Sequence, residues 1–423
     1  WFAAYPETKA FCTTPDGKMY TAPYVKINSD RIGSQEAIQI SKTWLEKADA
    51  EIPETLDDFL ALLYKIKEID PSSTPMGGLA SYHNNLSYFL NALGYLTSSE
   101  NDFGYEVALR NNEVVIPAID DTFVEYLRIC NKLYTDGILD KNFFTADKLA
   151  VTAQVTEGKT ALYGGYTYDV LPLPDDFHQW TSVKPLTSPW NQTKQWMDTS
   201  PYGIGGCVLS AKTEKADTIL RYIDFFYSEL GIFYLWEGPL VGSSDTLGMV
   251  IGMDYKDGGK YFNDVVNGDY ESSLDYVLSM GLGLASAFGN RSHSITHPDT
   301  SSTMMETLQY CLSIPESQIN HTMLKYDHGD NYGRICMQEN ITPYVVPGFP
   351  SIVYYDEAAQ EQIDDISILF DSHVESEVAK FITGARDLAT FDAFVTECNA
   401  LGASDLLALY KQAWENYQAA SAM

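Results

Sequence analysis

The chain has 423 residues, and its 27 Lys and Arg are outnumbered by 58 Asp and Glu, which gives a formal net charge of −31 at pH 7. Nucleic acids and anionic membrane surfaces bind basic proteins, so we expect neither as a partner. No part of the sequence approaches the ~18–20 consecutive apolar residues of a membrane-spanning helix. The length predicts two or three domains of ~100–200 residues each.

A strand and then a helix are predicted near the start of the chain. Strand-forming residues cover 19–27, and helical spacing of apolar residues covers 53–70. Thr55 suits the N-cap of this helix, and Pro71 ends it. The apolar face of the helix consists of Leu56, Phe59, Leu60, Leu63 and Ile66.

Two more helices and two strands are predicted in the middle of the chain. The helices cover 121–136 and 212–230, and Gly137 ends the first of them. Short apolar segments at 159–163 and 203–210 are typical of strands. In the 212–230 helix, the residues predicted to face inward are Ile219, Leu220, Ile223, Phe226 and Tyr227.

The region from 360 to 420 is predicted to be almost entirely helical, with separate helices at 390–401 and 403–418. Upstream of this region, helices alternate with isolated short strands. That order indicates an α/β or mixed architecture. We find no internal repeat and no low-complexity linker, so we expect interwoven domains.

Motifs that carry chemistry are scarce. No nucleophile elbow, phosphate-binding loop or zinc-protease motif is present, so we predict no catalytic residues and no cofactor. His293 and His297 lie in a segment that Pro298 marks as a loop, without a third ligand, so we predict no metal site. The six scattered cysteines predict mostly buried thiols, with one or two disulfides left open for a secreted protein. They are Cys12, Cys130, Cys207, Cys311, Cys336 and Cys398.

Aromatic residues in loops are the most informative feature. The sequence contains 29 Tyr, 19 Phe and 7 Trp. Tyr and Trp combine an apolar ring face with a polar tip, which suits stacking on sugars next to amide and hydroxyl groups. The alternative is that these rings complete the core. The relevant segments are ALYGGYTYDV, SPWNQTKQWMD and LWEGPLVG, with Tyr163, Tyr166, Tyr168, Trp190, Trp196 and Trp236.

Several segments together resemble the extracellular solute-binding proteins of carbohydrate ABC importers. The resemblance is to their large lipoprotein-type branch, distantly related to maltose-binding protein, and covers most of 13–235 and 350–418. The segments, in the order of that family, are DGKMYTAPYV, ISKTWLEKADAEIPETLDDFLALLYKIKEIDP, YLRICNKLYTDGILDKNFFT, VTEGKTALYGGY, SPYGIGGCVLSAKTEKADTILRYIDFFYSELG and AKFITGARDLATFDAFVTECNALGASDLLALYKQAWENYQ.

The chain departs from that family in two places. The family has well over a hundred residues before the DGK segment, including a lipid-modified cysteine, so the resemblance implies an N-terminally incomplete receptor. The branch often carries an acidic loop after its first helix that resembles a calcium site. Here residues 70–78, DPSSTPMGG, contain a single carboxylate, so we expect no calcium there.

The resemblance implies an α/β type II periplasmic-binding-protein fold, with two lobes joined by a hinge and a helical C-terminal region. Lobe one would contain 1–27 and 200–330, without its opening strands. Lobe two would contain 28–199 and 331–423, including the C-terminal helices. Ligand would bind in the cleft, and the lobes would close around it by hinge motion.

The resemblance also implies a function without chemistry: capture of a sugar or oligosaccharide outside the cell and delivery to an ABC transporter permease. We expect a monomer that is extracellular, either lipid-anchored at the cell surface or periplasmic. Tyr166, Tyr168 and Tyr82 correspond to sugar-contacting aromatics of the family. Local chemistry adds Trp190, Trp196 and Trp236 as ligand-binding candidates, and Asn28 as an amide for a hydroxyl.

Two alternatives stay open. A secreted glycoside hydrolase or polysaccharide-binding enzyme would share this acidic, aromatic-rich composition but would need a pair of carboxylates at its site. A peptide-binding receptor of the same fold would need an ionic anchor such as Arg291 or Arg334.

Overall fold

The structure is a computed structural model, and the chain divides into two compact units. Unit 1 comprises Trp1–Ile32 and Ser200–Asn331, and unit 2 comprises Gly33–Thr199 and Tyr332–Met423. The residues that the structure describes are 12–14, 17–20, 23–25, 38–80, 84–97, 103–164, 179–197, 202–204, 209–225, 336, 339–350 and 353–421.

Helices and short strands are interspersed along the described residues, and three helices follow one another at the end. The helices are α1 (Lys42–Lys47), α2 (Leu56–Ile69), α3 (Ser87–Ala92), α4 (Phe123–Thr135), α5 (Lys148–Thr156), α6 (Ala216–Phe225), α7 (Glu357–Thr383), α8 (Phe391–Ala400) and α9 (Ala403–Ser421). The strands are β1 (Pro23–Val25), β2 (Ile38–Ser41), β3 (Leu96–Thr97), β4 (Ala108–Arg110), β5 (Glu113–Val115), β6 (Leu162–Gly164), β7 (Trp180–Ser182), β8 (Trp196–Met197), β9 (Tyr202–Ile204) and β10 (Val345–Val346).

In unit 1, β1 pairs antiparallel with β9. Strand β1 lies within the predicted 19–27 strand, and β9 overlaps the first residues of the predicted 203–210 strand. Helix α6 lies within the predicted 212–230 helix, and its Ile223 is buried. The prediction that Leu220 faces inward is wrong, because its side chain is 52% exposed. Ile219 and Ile223 are four residues apart on one stripe, whereas Leu220 lies about 100° further round the helix. Phe226 and Tyr227 lie outside the described residues.

A three-stranded sheet organises the first half of unit 2. Its central strand β2 pairs antiparallel with β6 on one side and β7 on the other. Side chains of a strand alternate between the two faces of the sheet. Ile38 and Ile40 therefore enter the main core of the unit. Gln39 and Ser41, both buried, lie on the opposite face.

That opposite face carries a second, smaller core. Val151 and Val155 of α5 pack there with Tyr163 of β6 and Trp180 of β7. The two aromatic rings meet edge to face with centroids 4.8 Å apart, although β2 separates their strands. The rings therefore reach over β2 on the face that carries Gln39.

Helices α2 and α4 confirm two predicted helices; each begins two or three residues later and ends one residue earlier than predicted. The Thr55 hydroxyl caps α2 by accepting from the Asp58 amide at 3.1 Å. Leu62 completes the buried face of α2, with Leu60 half-buried beside it. Helix α4 ends just before Gly137, which has a φ of 69°.

The predicted helical C-terminal region is confirmed as α7, α8 and α9. Helix α7 packs against α4 and α9. Its Phe370 and Phe381 are fully buried, and Phe381 meets Phe394 of α8 edge to face at 5.6 Å. Gly384 ends α7 in the left-handed region, with a φ of 81°. This region therefore belongs to the main core of unit 2.

Four of the six cysteines are among the described residues, and all four are buried thiols, as predicted for most of them: Cys12, Cys130, Cys336 and Cys398. The remaining two lie outside the described residues. In the described part of the chain, every helix is too short or too polar to cross a lipid bilayer.

Candidate functional site

The structure describes two of the seven predicted ligand-binding residues, Trp190 and Trp196. The other five lie outside the described residues, and their roles stay predictions: Asn28, Tyr82, Tyr166, Tyr168 and Trp236.

Trp190 lies in a tight turn whose hydrogen bonds hold its backbone in place. Ser188 and Asn191 exchange backbone hydrogen bonds of 2.7 and 3.1 Å across this turn. The Ser188 hydroxyl accepts from the amides of Trp190 and Asn191, both at 3.1 Å, and donates to the Ala92 carbonyl. The Trp190 side chain is 38% exposed on this fixed turn. A large aromatic side chain on a rigid backbone is suited to stacking on a sugar face, because little motion must be lost on binding.

Trp196 has a different environment. It is the first residue of β8, which pairs in parallel with β10. Its side chain is only 3% exposed, and its ring lies 6.1 Å from that of Tyr88. A ligand role for Trp196 stays a prediction, and its burial makes Trp190 the stronger of the two candidates.

An ion cluster ties the 184–194 segment to the start of α2. Lys184 donates to a Glu54 carboxylate oxygen at 2.8 Å, and Lys194 donates to the other oxygen. These hydrogen bonds lower the pKa of Glu54 to about 2. The backbone amide of Thr187 also donates to the Glu54 carbonyl at 3.1 Å. The segment that carries Trp190 is thus anchored at both ends.

A buried row of uncharged polar groups crosses the three-stranded sheet. Gln39 of β2 is paired with Tyr163 of β6 on one side and Ser182 of β7 on the other. The Ser182 hydroxyl donates to the Cys336 carbonyl at 2.8 Å, and the Asn340 amide donates to the Ser182 carbonyl at 3.0 Å. We call Tyr163, Gln39, Ser182 and Asn340 the β2 polar row.

Of this row, only Tyr163 is singled out by the sequence pattern, as one of the aromatic residues. The signal that could have found the row is the apolar–polar alternation of IQIS, residues 38–41, directly before α1. That alternation predicts a strand with one polar face. It does not predict burial of the polar face, which depends on α5 and the 336–340 segment, both distant in sequence.

The 70–78 loop holds its only carboxylate by local hydrogen bonds. Asp70 accepts from the amide and hydroxyl of Ser72 at 2.9 and 2.7 Å, and these bonds lower its pKa. The Lys67 ammonium donates to the Ser73 carbonyl at 2.5 Å. Among the described residues, no group of three His, Cys, Asp or Glu is placed to hold a metal ion.

Comparison with solved structures shows the fold of the chain. The chain has the fold of the periplasmic solute-binding proteins, a mixture of helices and strands with a helical C-terminal region, as predicted. An extracellular solute-binding protein from Bifidobacterium longum subsp. infantis matches with a TM-score of 0.70 and 17% identity. That match covers 98% of this chain and 80% of the other.

Sequence comparison points to a particular homologue. The chain is homologous to FusA of Streptococcus pneumoniae, a fructooligosaccharide ABC transporter substrate-binding protein. The two are 22% identical over 430 residues, which cover 98% of this chain and 72% of FusA. An EF-hand mutant of FusA in complex with fructo-nystose has a TM-score of 0.67 and 20% identity, over 99% of this chain and 80% of that one. No family model matches the chain.

The predicted resemblance to sugar-binding solute-binding proteins of ABC importers is therefore confirmed. The homologues are binding proteins rather than enzymes.

Proposed function

We propose that this protein is an extracellular receptor that binds a sugar or oligosaccharide and delivers it to the permease of an ABC importer. The observation that carries the proposal is the homology to FusA, which extends over 98% of the chain. Neutral glycans of the fructooligosaccharide type are the first ligands to test, since FusA is a fructooligosaccharide substrate-binding protein.

In this proposal, units 1 and 2 correspond to lobes one and two of the receptor, and the protein acts as a monomer outside the cell. It catalyses no reaction. Affinity comes from aromatic rings that stack on sugar faces, with amides and hydroxyls at their edges. Trp190 supports this mechanism, because it is an exposed ring on a fixed turn next to Asn191 and Gln192.

Tyr166 is the leading stacking residue of the proposal. A Tyr166→Ala variant is expected to lose most of its sugar affinity while its melting temperature stays within a few degrees of the parent. Thermal shift and calorimetry with kestose and fructo-nystose measure both quantities. A Tyr417→Ala variant serves as the control, because Tyr417 is 44% exposed and stacks on Trp414 in the C-terminal helix.

Unchanged affinity of the Tyr166→Ala variant would contradict the stacking role. Release of shorter products from a labelled glycan would instead favour a glycoside hydrolase, because a receptor releases its ligand intact. Selective binding of peptides would favour a peptide receptor.

A further inference from the structure

The side chain of Gln39 ends in a buried amide whose hydrogen bonding is incomplete. Its side chain is 1% exposed, at the centre of the three-stranded sheet. Its carbonyl oxygen Oε1 has no hydrogen-bond partner among the described residues. Because a buried acceptor without a partner costs folding free energy, such a group calls for an explanation.

Three other buried or half-buried amides also have a carbonyl oxygen without a partner in the described part of the chain, but their nitrogens are held. Asn85 donates to the Gly77 carbonyl at 2.5 Å, Asn91 to the Gln195 carbonyl at 2.9 Å and Gln154 to the Asp140 carboxylate at 2.6 Å. Each of these three amides therefore has a structural role, through the hydrogen bond that its nitrogen donates. No such bond to a described residue holds the Gln39 amide.

The neighbours of Gln39 indicate what kind of group could satisfy it. On one side, the rings of Tyr163 and Trp180 meet over β2. On the other side, Ser182 is fixed by bonds to Cys336 and Asn340. All these groups are uncharged, so the row suits a neutral donor rather than an ion. A sugar hydroxyl is such a donor, and aromatic rings beside amides are typical surroundings for a sugar.

In the sequence, one residue of the row stands close to the leading stacking candidate. Tyr163, the neighbour of Gln39 on β6, precedes Tyr166 by three residues in the sequence.

We infer that Gln39 is a ligand-binding residue whose Oε1 accepts a hydrogen bond from a hydroxyl of the bound sugar. This inference rests on the proposed function and adds a binding residue to it. It explains why an amide is kept at a buried position where no described residue supplies a donor. The ligand class is a neutral glycan.

The test compares the parent with a Gln39→Met variant by calorimetry with kestose and fructo-nystose. Methionine has a similar length and no polar end, so it removes the acceptor while filling the space. We expect affinity about tenfold weaker. The melting temperature should equal or exceed that of the parent, because a buried polar group without a partner has been removed.

Gln154→Met is the matched control. It also replaces a glutamine in unit 2, but one whose nitrogen is bonded to Asp140. We expect it to lower the melting temperature and to leave affinity unchanged. Gln39→Leu is the second variant should Gln39→Met not fold.

A set of monodeoxy analogues of kestose provides a measurement that needs no variant. The parent should bind one analogue about tenfold more weakly than kestose, and Gln39→Met should bind that analogue and kestose equally. Parent and Gln39→Met with equal affinities, or equal binding of every analogue by the parent, would overturn the inference and leave the proposed function standing. A parent that binds no glycan would instead refute the proposed function.

Discussion

Two polar clusters in unit 2 differ in how completely their groups are bonded. In the C-terminal helices, Arg386 donates to Glu377 at 2.5 Å and to both oxygens of Glu397 at 2.8 and 3.0 Å, and Lys380 pairs with Glu377. In the β2 polar row, by contrast, the Gln39 carbonyl has no partner among the described residues.

The difference suggests that the cluster in the C-terminal helices stabilises the fold and that the β2 polar row binds ligand. The ion cluster joins α7 to α8 and lies against the rings of Phe381 and Phe394, 4.9 and 5.6 Å from the Arg386 guanidinium. Burial alone would raise the pKa of Glu377, but hydrogen bonds from Lys380 and Arg386 outweigh burial and lower it. A cluster whose charged groups pair with one another stabilises the fold. A row that leaves an acceptor unused is suited to binding.

The largest expected effect concerns the ion cluster of the C-terminal helices, around Arg386. An Arg386→Met variant removes one of the two cations that pair with the mostly buried Glu377 carboxylate, and Lys380 remains as the other. Removing one member of a buried ion pair costs about 3 kcal/mol, so the free energy of unfolding should fall by about that amount. Denaturant unfolding measures this loss, and sugar affinity should not change.

Arg128→Met is the control for that variant, because Arg128 pairs with Glu125 on the exposed surface of α4. Its loss should stay below about 0.5 kcal/mol. A loss below about 1 kcal/mol for Arg386→Met would show that the ion cluster does not stabilise the fold as described.

The next effect concerns the dependence of stability on pH. Burial, followed by the nearby Glu106 and Glu375 carboxylates, raises the pKa of Asp371 to about 7. A carboxyl whose pKa is raised on folding stabilises the protein at low pH, and this stabilisation is lost as the pH rises from about 4 to about 7. Asp371→Asn should therefore raise the free energy of unfolding at pH 8 by about 1–2 kcal/mol and change it much less at pH 4.

Denaturant unfolding at pH 4, 6 and 8 checks this expectation. Asp365→Asn, at an exposed position of the same helix, is the control and should show no such pH-dependent gain. Equal effects of Asp371→Asn at pH 4 and pH 8 would contradict the assignment.

The smallest expected effect concerns binding alone. Trp190→Ala should weaken sugar affinity about tenfold, or about 1.4 kcal/mol, with little change in melting temperature because the ring is partly exposed. Trp196→Phe provides the contrast: it should lower the melting temperature, because Trp196 is buried beside Tyr88. If Trp190→Ala binds as the parent does, the exposed turn is not part of the site.

The helical spacing of apolar residues was sufficient to predict α2 and α4. Apolar residues at helical spacing, with Thr55 before α2 and Gly137 after α4, predict both helices because capping and burial of one face are local properties. Leu220 shows the limit, since a helical pattern does not say how wide the buried stripe is.

The candidate site was harder to predict than the fold. The sequence could suggest Trp190 and Trp196 equally, because both stand in the same polar segment. Only the structure separates them, by burying the side chain of Trp196 beside Tyr88. Gln39 was missed because its four-residue strand is too short for a strong periodic signal, and its burial depends on distant segments.

The most direct test of the central claim is equilibrium binding of labelled fructo-nystose to the full chain, followed by chromatography of the recovered sugar. We predict saturable binding of one sugar per chain and recovery of the sugar intact. No binding by this or any other oligosaccharide of a neutral panel, or recovery of shorter products, would contradict this prediction.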